Sequence, residues 1–336
     1  MGYAAEKEKA EKRVRKYKLI ALLIGVLLLV ALCVVGVIVQ SSAWQYYVML
    51  PQVSKRKDGE LRIHYVSVGQ GDATLLELPD GKVMLIDGGD GTESSNRALL
   101  RYINALEIDV IDYLVATHAD IDHCGGLAEV LKCKQVKRAF LPVVTMDGSE
   151  TSLHYTSYKA FFAALQQEGC AYEYSSREIT LTSANAATPY TLAFLYPHAE
   201  EQSQGGTSND DSCVLWLDYH GVNALFTGDI SATAEERLLE EYANGLGRQD
   251  VDIQDTEILK VSHHGSADAT VQAFVEYLGI ETAVISCGKG NAYGHPSLTT
   301  LQTLLSCGAQ IYRTDLHGTV LITIQQDGTY AVKTAA

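Results

Sequence analysis

The chain has 336 residues and carries a formal net charge of −15. This length can bury one large core or two small ones. The acidic charge argues against a broad groove that follows nucleic-acid phosphates, because such proteins usually present a basic face. It is compatible with a small anionic substrate held by a metal ion.

The N-terminal end combines a basic tail with a long apolar run. Residues 1–18 contain seven Lys or Arg and three Glu, whereas residues 19–39 contain no charge. In a helix that rises about 1.5 Å per residue, this run spans a hydrocarbon core of roughly 30 Å. A cleaved signal peptide is the alternative, but its apolar region is usually only about 7–15 residues long. We therefore predict a single-pass membrane protein with the N-terminus in the cytoplasm and the C-terminal part outside the cell membrane.

Four segments follow from this pattern. We predict a cytoplasmic basic tail at 1–18, a transmembrane helix at 19–39, a linker at 40–58 and one globular domain at 59–336. No CxxC pair occurs among the seven cysteines, so a structural zinc ribbon is not expected.

The globular part begins with a predicted β-hairpin, which turns at Pro79-Asp80-Gly81. Helical periodicity then alternates with short β-rich runs. The predicted strands are 61–68, 73–78, 83–86, 113–116, 191–196, 214–219, 224–227, 258–261, 282–286, 310–313 and 320–324. The predicted helices are 96–106, one starting near 127, 158–165, 234–242, 270–278 and 297–305. This order predicts an α/β protein in which two mixed sheets pack together, with helices outside.

Four of these apolar runs end in side chains that bind metals. The endings are MLID at Asp87, YLVATH at His118, ALFTGD at Asp229 and ILKVSHH at His263 and His264. In α/β proteins, ligand sites gather at the C-terminal edge of the strands. Core packing does not explain four such endings, so we predict a metal site at this edge.

The run His118-Ala-Asp120-Ile-Asp122-His123 supplies several of these groups within six positions. Imidazole and carboxylate are the ligands that borderline and hard divalent cations accept. Two ligands spaced two apart, followed by two adjacent ones, can serve two neighbouring metal ions. Gly125 and Gly126 follow directly and allow the backbone to turn close to the site.

The segment THADIDHCGGL resembles the HxHxDH signature of the metallo-β-lactamase superfamily. It is closest to the HxDxDH variant that is typical of the hydrolase domain of the DNA-uptake protein ComEC. The segments HYVSVGQGDATLLELPDGKVMLIDGG, SNDDSCVLWLDYHGVNALFTGDI, ILKVSHHGS and NAYGHPS agree in the same order. The resemblance covers roughly residues 61–325 and implies the αββα fold of that superfamily. Because only one span is present, we do not expect DNA translocation by this chain alone.

The resemblance also implies a site for two divalent metal ions, zinc or manganese. In it, the first metal would be bound by His118 and Asp120, the second by Asp122, His123 and His263, and Asp229 would bridge the two. Asp87 and His264 would not bind metal themselves but would support the ligand residues from neighbouring positions. The third ligand of the first metal is left open between His198, water and a group from residues 209–212.

Two further groups of residues are assigned to the reaction. Asp122 would orient the attacking water while it binds metal. His295 lies at a predicted helix start, where anions are favoured, and it would protonate the leaving group or hold a phosphate. Asn209 and Ser212 would contact the substrate.

These assignments predict a membrane-anchored hydrolase that cleaves phosphodiesters with a metal-activated water. We expect a small or wall-linked substrate, with single-stranded nucleic acid as a further candidate, since the acidic chain suits these better than duplex DNA. Two alternatives are a phosphorylcholine or teichoic-acid esterase at the cell envelope, and a non-catalytic metal-binding sensor or binding ectodomain.

Overall fold

The computed structural model describes residues 2–38, 43–142, 153–197 and 209–335. The chain divides into two compact units, Met1–Met49 and Leu50–Ala336. The boundary between them falls inside the predicted linker.

The first unit contains helix α1 (Gly2–Ile38) and a short 3-10 helix (Ala43–Tyr46). The stretch Glu11–Gly36 of α1 contains a window of 18 residues with a mean hydropathy of 3.2. Within the described ranges, α1 is the one helix that is long and apolar enough to cross a membrane. Residues 2–38 of the predicted tail and span therefore form one continuous helix.

The second unit contains two β-sheets and eight α-helices among its described residues. The eight-stranded sheet has the order β15-β14-β1-β2-β3-β4-β5-β6, and the seven-stranded sheet has the order β13-β12-β11-β10-β9-β8-β7. The strands are β1 (Leu61–Tyr65), β2 (Thr74–Glu77), β3 (Val83–Ile86), β4 (Val110–Val115), β5 (Gln135–Leu141), β6 (Ala171–Tyr174), β7 (Thr180–Thr182), β8 (Tyr190–Tyr196), β9 (Val214–Tyr219), β10 (Val222–Phe226), β11 (Ile258–Lys260), β12 (Thr282–Ile285), β13 (Gln310–Arg313), β14 (Val320–Ile324) and β15 (Tyr330–Thr334). The helices are α2 (Glu93–Ala105), α3 (Ile121–Cys124), α4 (Leu127–Cys133), α5 (Leu153–Glu168), α6 (Ala232–Ala243), α7 (Gln272–Leu278), α8 (Leu298–Ser306) and α9 (Thr314–His317).

The main core lies between the two sheets. Tyr65 and Phe140 from one sheet share a buried cluster with Phe194, Leu217 and Phe226 from the other. A second cluster covers the opposite face of the seven-stranded sheet with side chains from α6, α7 and α8. The layered αββα arrangement expected from the alternating strand and helix signals is therefore present.

The strands that the sequence did not predict are mostly exposed. β6, β7 and β15 are edge strands in this topology, and most of their side chains face solvent. β5 begins with exposed polar residues and becomes buried only over its last three positions. Edge strands need no apolar face toward a core, so hydrophobic periodicity does not detect them. The predicted strand 61–68 is also shorter in the structure, because the chain leaves β1 after Tyr65.

The globular unit includes part of the predicted linker. The guanidinium of Arg62 is buried, and it donates to the Ser54 carbonyl at 2.6 Å, the Ser54 hydroxyl at 3.0 Å and the Lys55 carbonyl at 3.0 Å. Ser54 and Lys55 therefore supply hydrogen-bond acceptors to the buried guanidinium of Arg62 in β1. The physical start of the domain lies before Ser54, upstream of the predicted boundary at residue 59.

We expect a fragment that begins at Asp58 to be less stable than one that begins at Leu50. Removal of Ser54 and Lys55 takes three hydrogen-bond acceptors from the Arg62 guanidinium, which keeps its longer contacts with Glu60 and Glu77. We expect this loss to cost on the order of 2 kcal/mol in the free energy of unfolding. Urea denaturation of the two fragments measures this difference. A fragment that begins at Val53 keeps both partners and is the matched control. Equal midpoints for the Asp58 and Leu50 fragments would contradict the assignment.

Candidate metal centre

Metal-binding side chains from both sheets meet at one edge of the sandwich. Asp87 follows β3, and His118 follows β4, which runs parallel to β3. In the other sheet, Asp229 follows β10, and the turn Ser262–Gly265 follows the parallel strand β11. We call Ser262–Gly265 the histidine turn, because it carries His263 and His264. The structure therefore brings together the side chains that were predicted from the ends of the apolar runs.

His123 lies at the centre of this cluster and is fully buried. Its Nδ1 is 2.8 Å from the Asp87 carboxylate. Its Nε2 is 3.2 Å from Asp229 Oδ1 and 3.3 Å from His264 Nε2. One ring nitrogen is thus oriented by a carboxylate, while the other faces the converging donors, which is the usual arrangement of a metal-binding histidine.

The two histidines of the histidine turn occupy different environments. His264 is buried, and its Nε2 is 3.2 Å from Asp229 Oδ2 and 3.2 Å from Asp122 Oδ2. Its Nδ1 is 2.9 Å from the Ser286 carbonyl oxygen, which orients the ring. The side chain of His263 is 25% exposed, and its Nε2 is 3.9 Å from Asp229. These distances favour His264 as the ligand, with His263 at the rim, and so reverse the order that the resemblance implied.

A buried ion pair lies beneath the cluster. The Lys260 ammonium contacts the Asp72 carboxylate and donates to the Gly228 carbonyl at 2.8 Å. Asp72 also lies within reach of His123 and His264, at 3.7 and 3.8 Å from their Nδ1 atoms. One donor atom each from Asp72, His123, Asp229 and His264 fits within 4.8 Å of the others. Since Asp72 is already paired with Lys260, we assign it to charge balance and support of the histidines.

The sequence interpretation missed Asp72 as a site residue, although its motif VGQGDA was part of the resemblance. Asp72 precedes β2, which is antiparallel to both β1 and β3. The N-terminal end of such a strand lies at the same edge as the C-terminal ends of its neighbours. The signal was therefore the predicted hairpin, which reverses the chain direction between Asp72 and Asp87.

Asp87 makes the hydrogen bonds that a bracing role requires. One carboxylate oxygen accepts from the Thr117 backbone N–H at 2.8 Å, and the other accepts from the Thr117 hydroxyl at 2.7 Å. The ligand run is also held by close backbone packing. A Cβ at Gly126 would overlap the carbonyl oxygen of Gly88, so the turn requires glycine at this position.

His118 and Asp120 form the other half of the cluster. His118 is buried and its ring lies 4.1 Å from that of His123. Its Nδ1 is 3.1 Å from the Thr117 hydroxyl, while its buried Nε2 has no hydrogen-bond partner among the described residues. Asp120 Oδ2 lies 4.0 Å from this Nε2. A neutral imidazole whose buried lone pair lacks a partner is a ready metal ligand. His198 lies outside the described residues.

The electrostatics of the cluster also favour bound cations. Burial lowers the pKa of His264, but the carboxylates of Asp229, Asp72 and Asp122 outweigh it and raise the pKa to about 10. Burial likewise opposes the charge on His123, but Asp229 and Asp87 raise its pKa well above the usual value. The carboxylates that raise the pKa values of these histidines also favour bound divalent cations, because both effects come from the same concentrated negative charge.

His295 lies against the histidine turn. Its ring is 5.5 Å from the ring of His263 and stacks at 26° on the ring of His264, 6.3 Å away. The exposed ring of Tyr293 also stacks on the His295 ring, with the two ring centroids 5.7 Å apart. Asn291, which the sequence analysis did not single out, holds this loop. It donates to the Gly288 and His295 carbonyls at 2.9 and 2.6 Å and accepts from the His295 N–H at 3.0 Å.

The two residues predicted to contact substrate differ in exposure. Asn209 is partly exposed at the rim, with its Nδ2 3.3 Å from His263 Nε2. Ser212 is fully buried, and its hydroxyl accepts from the Asp229 backbone N–H at 3.1 Å. This position favours a supporting role for Ser212 in place of the substrate contact that the sequence suggested.

Comparison with known proteins gives a consistent family. The chain is 30% identical to the ComE operon protein 3 of Bacillus subtilis over 278 residues, which are 78% of this chain and 33% of that protein. It is 26% identical to the Recombination protein 2 of Haemophilus influenzae, over 79% of this chain and 29% of that protein. The chain spans about a third of the length of these relatives.

A solved structure is also similar to the chain. Igni18, a metallo hydrolase from the archaeon Ignicoccus hospitalis, shares 15% sequence identity with a TM-score of 0.45, over 82% of this chain and 100% of that one.

Residues 66–289 match the family described as the Metallo-beta-lactamase superfamily, and they contain the ligand run, Asp229 and the histidine turn. The chain therefore belongs to the metallo-β-lactamase superfamily and has the fold of that family.

Proposed function

We propose that this protein is a membrane-anchored phosphodiesterase that works with two divalent metal ions. The observation that carries the proposal is the convergence of buried imidazoles and carboxylates at one edge of the two sheets. Four of these donors lie within 4.8 Å of one another, and His118 offers a further buried nitrogen without a hydrogen-bond partner among the described residues. Such a donor set suits zinc or manganese.

The charge of the cluster supports two ions. Five carboxylates surround it, and among the described residues one buried ammonium, that of Lys260, opposes them. The carboxylates are those of Asp72, Asp87, Asp120, Asp122 and Asp229. Four negative charges remain when the histidines are neutral, and two divalent cations would neutralise them. Uncompensated buried charge is costly, so this balance favours a paired site.

In this proposal, His118 and Asp120 hold the first metal, and Asp122, His123 and His264 hold the second. Asp229 would bridge the two, since its oxygens face His123 and His264 and its charge also acts on His118. When bound, the two ions supply the acidity that ionises a water near neutral pH and the positive charge that stabilises the transition state.

Two partly exposed side chains are suited to the reaction itself. The side chain of Asp122 is 23% exposed and lies on the open side of the cluster, where it can orient a water toward phosphorus. His295 lies at the rim beside His263, where a leaving oxygen would depart, and it can donate a proton there. The names of the relatives favour nucleic acid as one source of the phosphodiester.

We further propose that α1 anchors the chain, with the basic end in the cytoplasm and the hydrolase domain outside. The support is the uncharged apolar run and the basic residues before it. Fusions of alkaline phosphatase and green fluorescent protein to the C-terminus test this topology. Phosphatase activity without fluorescence is expected, and the reverse result would contradict it.

The activity is tested with the detergent-purified full chain, supplied with Mn²⁺ or Zn²⁺. The substrates are bis-p-nitrophenyl phosphate, single-stranded DNA, cyclic dinucleotides and p-nitrophenyl phosphorylcholine. We expect metal-dependent cleavage of bis-p-nitrophenyl phosphate and of at least one of the two nucleotide substrates. Selective cleavage of the phosphorylcholine ester would instead favour the envelope-esterase alternative. Sub-stoichiometric metal together with no turnover would favour the alternative of a non-catalytic binding ectodomain.

We expect His295→Ala to lower kcat by about 10²-fold, the lower range for general acid catalysis, and to leave metal content unchanged. The physical reason is that its ring contacts the histidine turn but lies outside the group of close donor atoms. Steady-state kinetics and metal analysis of the same preparation measure both effects. Loss of metal from this variant would show that His295 is a ligand.

A further inference from the structure

Glu235 is a buried carboxylate that the proposed reaction does not use. It lies in the first turn of α6, with 1% of its surface exposed. No ion pair to it is present among the described residues. Burial therefore raises its pKa to about 7, although hydrogen bonds oppose this shift. A carboxylate in this setting is costly, so its contacts indicate what it does.

The carboxylate joins the two ends of the loop that carries the histidine turn. Oε1 accepts from the Ser262 hydroxyl at 2.6 Å, at the start of the turn. Oε2 accepts from the Val271 backbone N–H at 2.7 Å, directly before α7. The Thr270 backbone also hydrogen-bonds to this group. One side chain of α6 thus closes the loop from 262 to 271.

This loop needs an external support, because its backbone is strained at the ligand positions. His263 and His264 both have left-handed dihedral angles, with φ of 48° and 54°. Such values are uncommon for residues other than glycine and persist only where the surroundings hold them. Ser262 directly precedes these two residues. Its hydrogen bond to Glu235 therefore holds the position at which the strained segment begins.

We propose that Glu235 is a positioning residue, which holds the histidine turn so that His264 faces Asp229 and Asp122. The inference rests on the proposed function, since it takes His264 as a metal ligand. Among the described residues, the hydrogen bonds of Glu235 go to Ser262, Val271 and Thr270, and none of these is a proposed metal ligand. It acts through Ser262, and the effect of its removal should appear in metal affinity and in the order of the turn.

The experiment compares four variants of the full chain in detergent. Glu235→Ala removes both acceptors. Glu235→Gln keeps the shape, because the amide oxygen can accept from Val271 while the Ser262 hydroxyl rotates to accept from the amide. Ser262→Ala removes one contact only. Glu236→Gln changes the exposed neighbour on the same helix and is the matched control.

Calorimetric titration with Mn²⁺ measures metal affinity, and hydrogen–deuterium exchange measures the order of residues 262–271. We expect Glu235→Ala to weaken binding of the second ion by about 10- to 100-fold, the range for loss of a group that supports a metal ligand. Ser262→Ala should weaken it by a smaller factor. Exchange in the loop should be faster in both variants, and Glu235→Gln and Glu236→Gln should stay within about threefold of the wild type.

Unchanged affinity and exchange in Glu235→Ala would overturn the inference. If that variant does not fold, Ser262→Ala decides in the same way. If the wild-type chain binds no metal, the proposed function fails, and the exchange data alone then decide whether Glu235 holds the turn.

Discussion

Replacement of His123 by alanine is expected to remove both metal binding and turnover. The imidazole joins the bracing carboxylate of Asp87 to the two donors that face it, Asp229 and His264. Its loss leaves those buried carboxylates without a shared partner and opens the centre of the cluster. We expect a decrease in kcat/KM beyond about 10³-fold, the upper range for removal of one oxyanion-hole donor, because both the nucleophile and charge neutralisation depend on this centre.

The measurement is turnover of bis-p-nitrophenyl phosphate together with metal content by emission spectroscopy. The matched control is His220→Asn, at an exposed histidine with a φ of 54°, because asparagine tolerates the left-handed conformation. The control should keep activity and metal. A His123→Ala protein that folds, retains two metal ions per chain and turns over substrate would remove the site assignment.

The position of the site was predictable, because the strand-end argument needs only local sequence. Apolar runs identify buried strands, and parallel neighbours bring their C-terminal ends to one edge. The structure has this arrangement for Asp87 and His118 in one sheet and for Asp229 and the histidine turn in the other. The core between the two sheets was predictable for the same reason, because the strands that form it consist largely of apolar residues.

Features that depend on backbone conformation were not predictable. The choice between His263 and His264 depends on two consecutive left-handed residues, which direct one ring inward and leave the other at the rim. Asp72 was missed because its strand runs antiparallel to its neighbours. The contribution of Ser54 to the domain depends on a single buried arginine, and a linker-like composition does not reveal it.

Replacement of Lys260 by methionine is expected to destabilise the domain by about 3–5 kcal/mol, the usual cost of removing one partner of a buried ion pair. Lys260 and Asp72 are each only 3% exposed, and the ammonium also donates to the carbonyl of Gly228, next to Asp229. Methionine preserves the length and apolar stem of the side chain but leaves the Asp72 carboxylate without its cation. Urea denaturation of the fragment that begins at Leu50 measures the change, and Lys289→Met at an exposed lysine is the control.

A double variant separates the ion pair from simple packing. If the cost arises from an uncompensated charge, then adding Asp72→Asn to Lys260→Met removes that charge, and the double variant should unfold at higher urea than Lys260→Met alone. If the lysine acts only by filling space, the two losses add and the double variant is the least stable. The double variant should also bind the second metal ion more weakly than Lys260→Met alone, because the neutral amide that replaces the Asp72 carboxylate supplies no negative charge beside His264 and His123. Recovered stability together with weakened metal binding would show that the Asp72–Lys260 pair contributes to the electrostatics of the metal site.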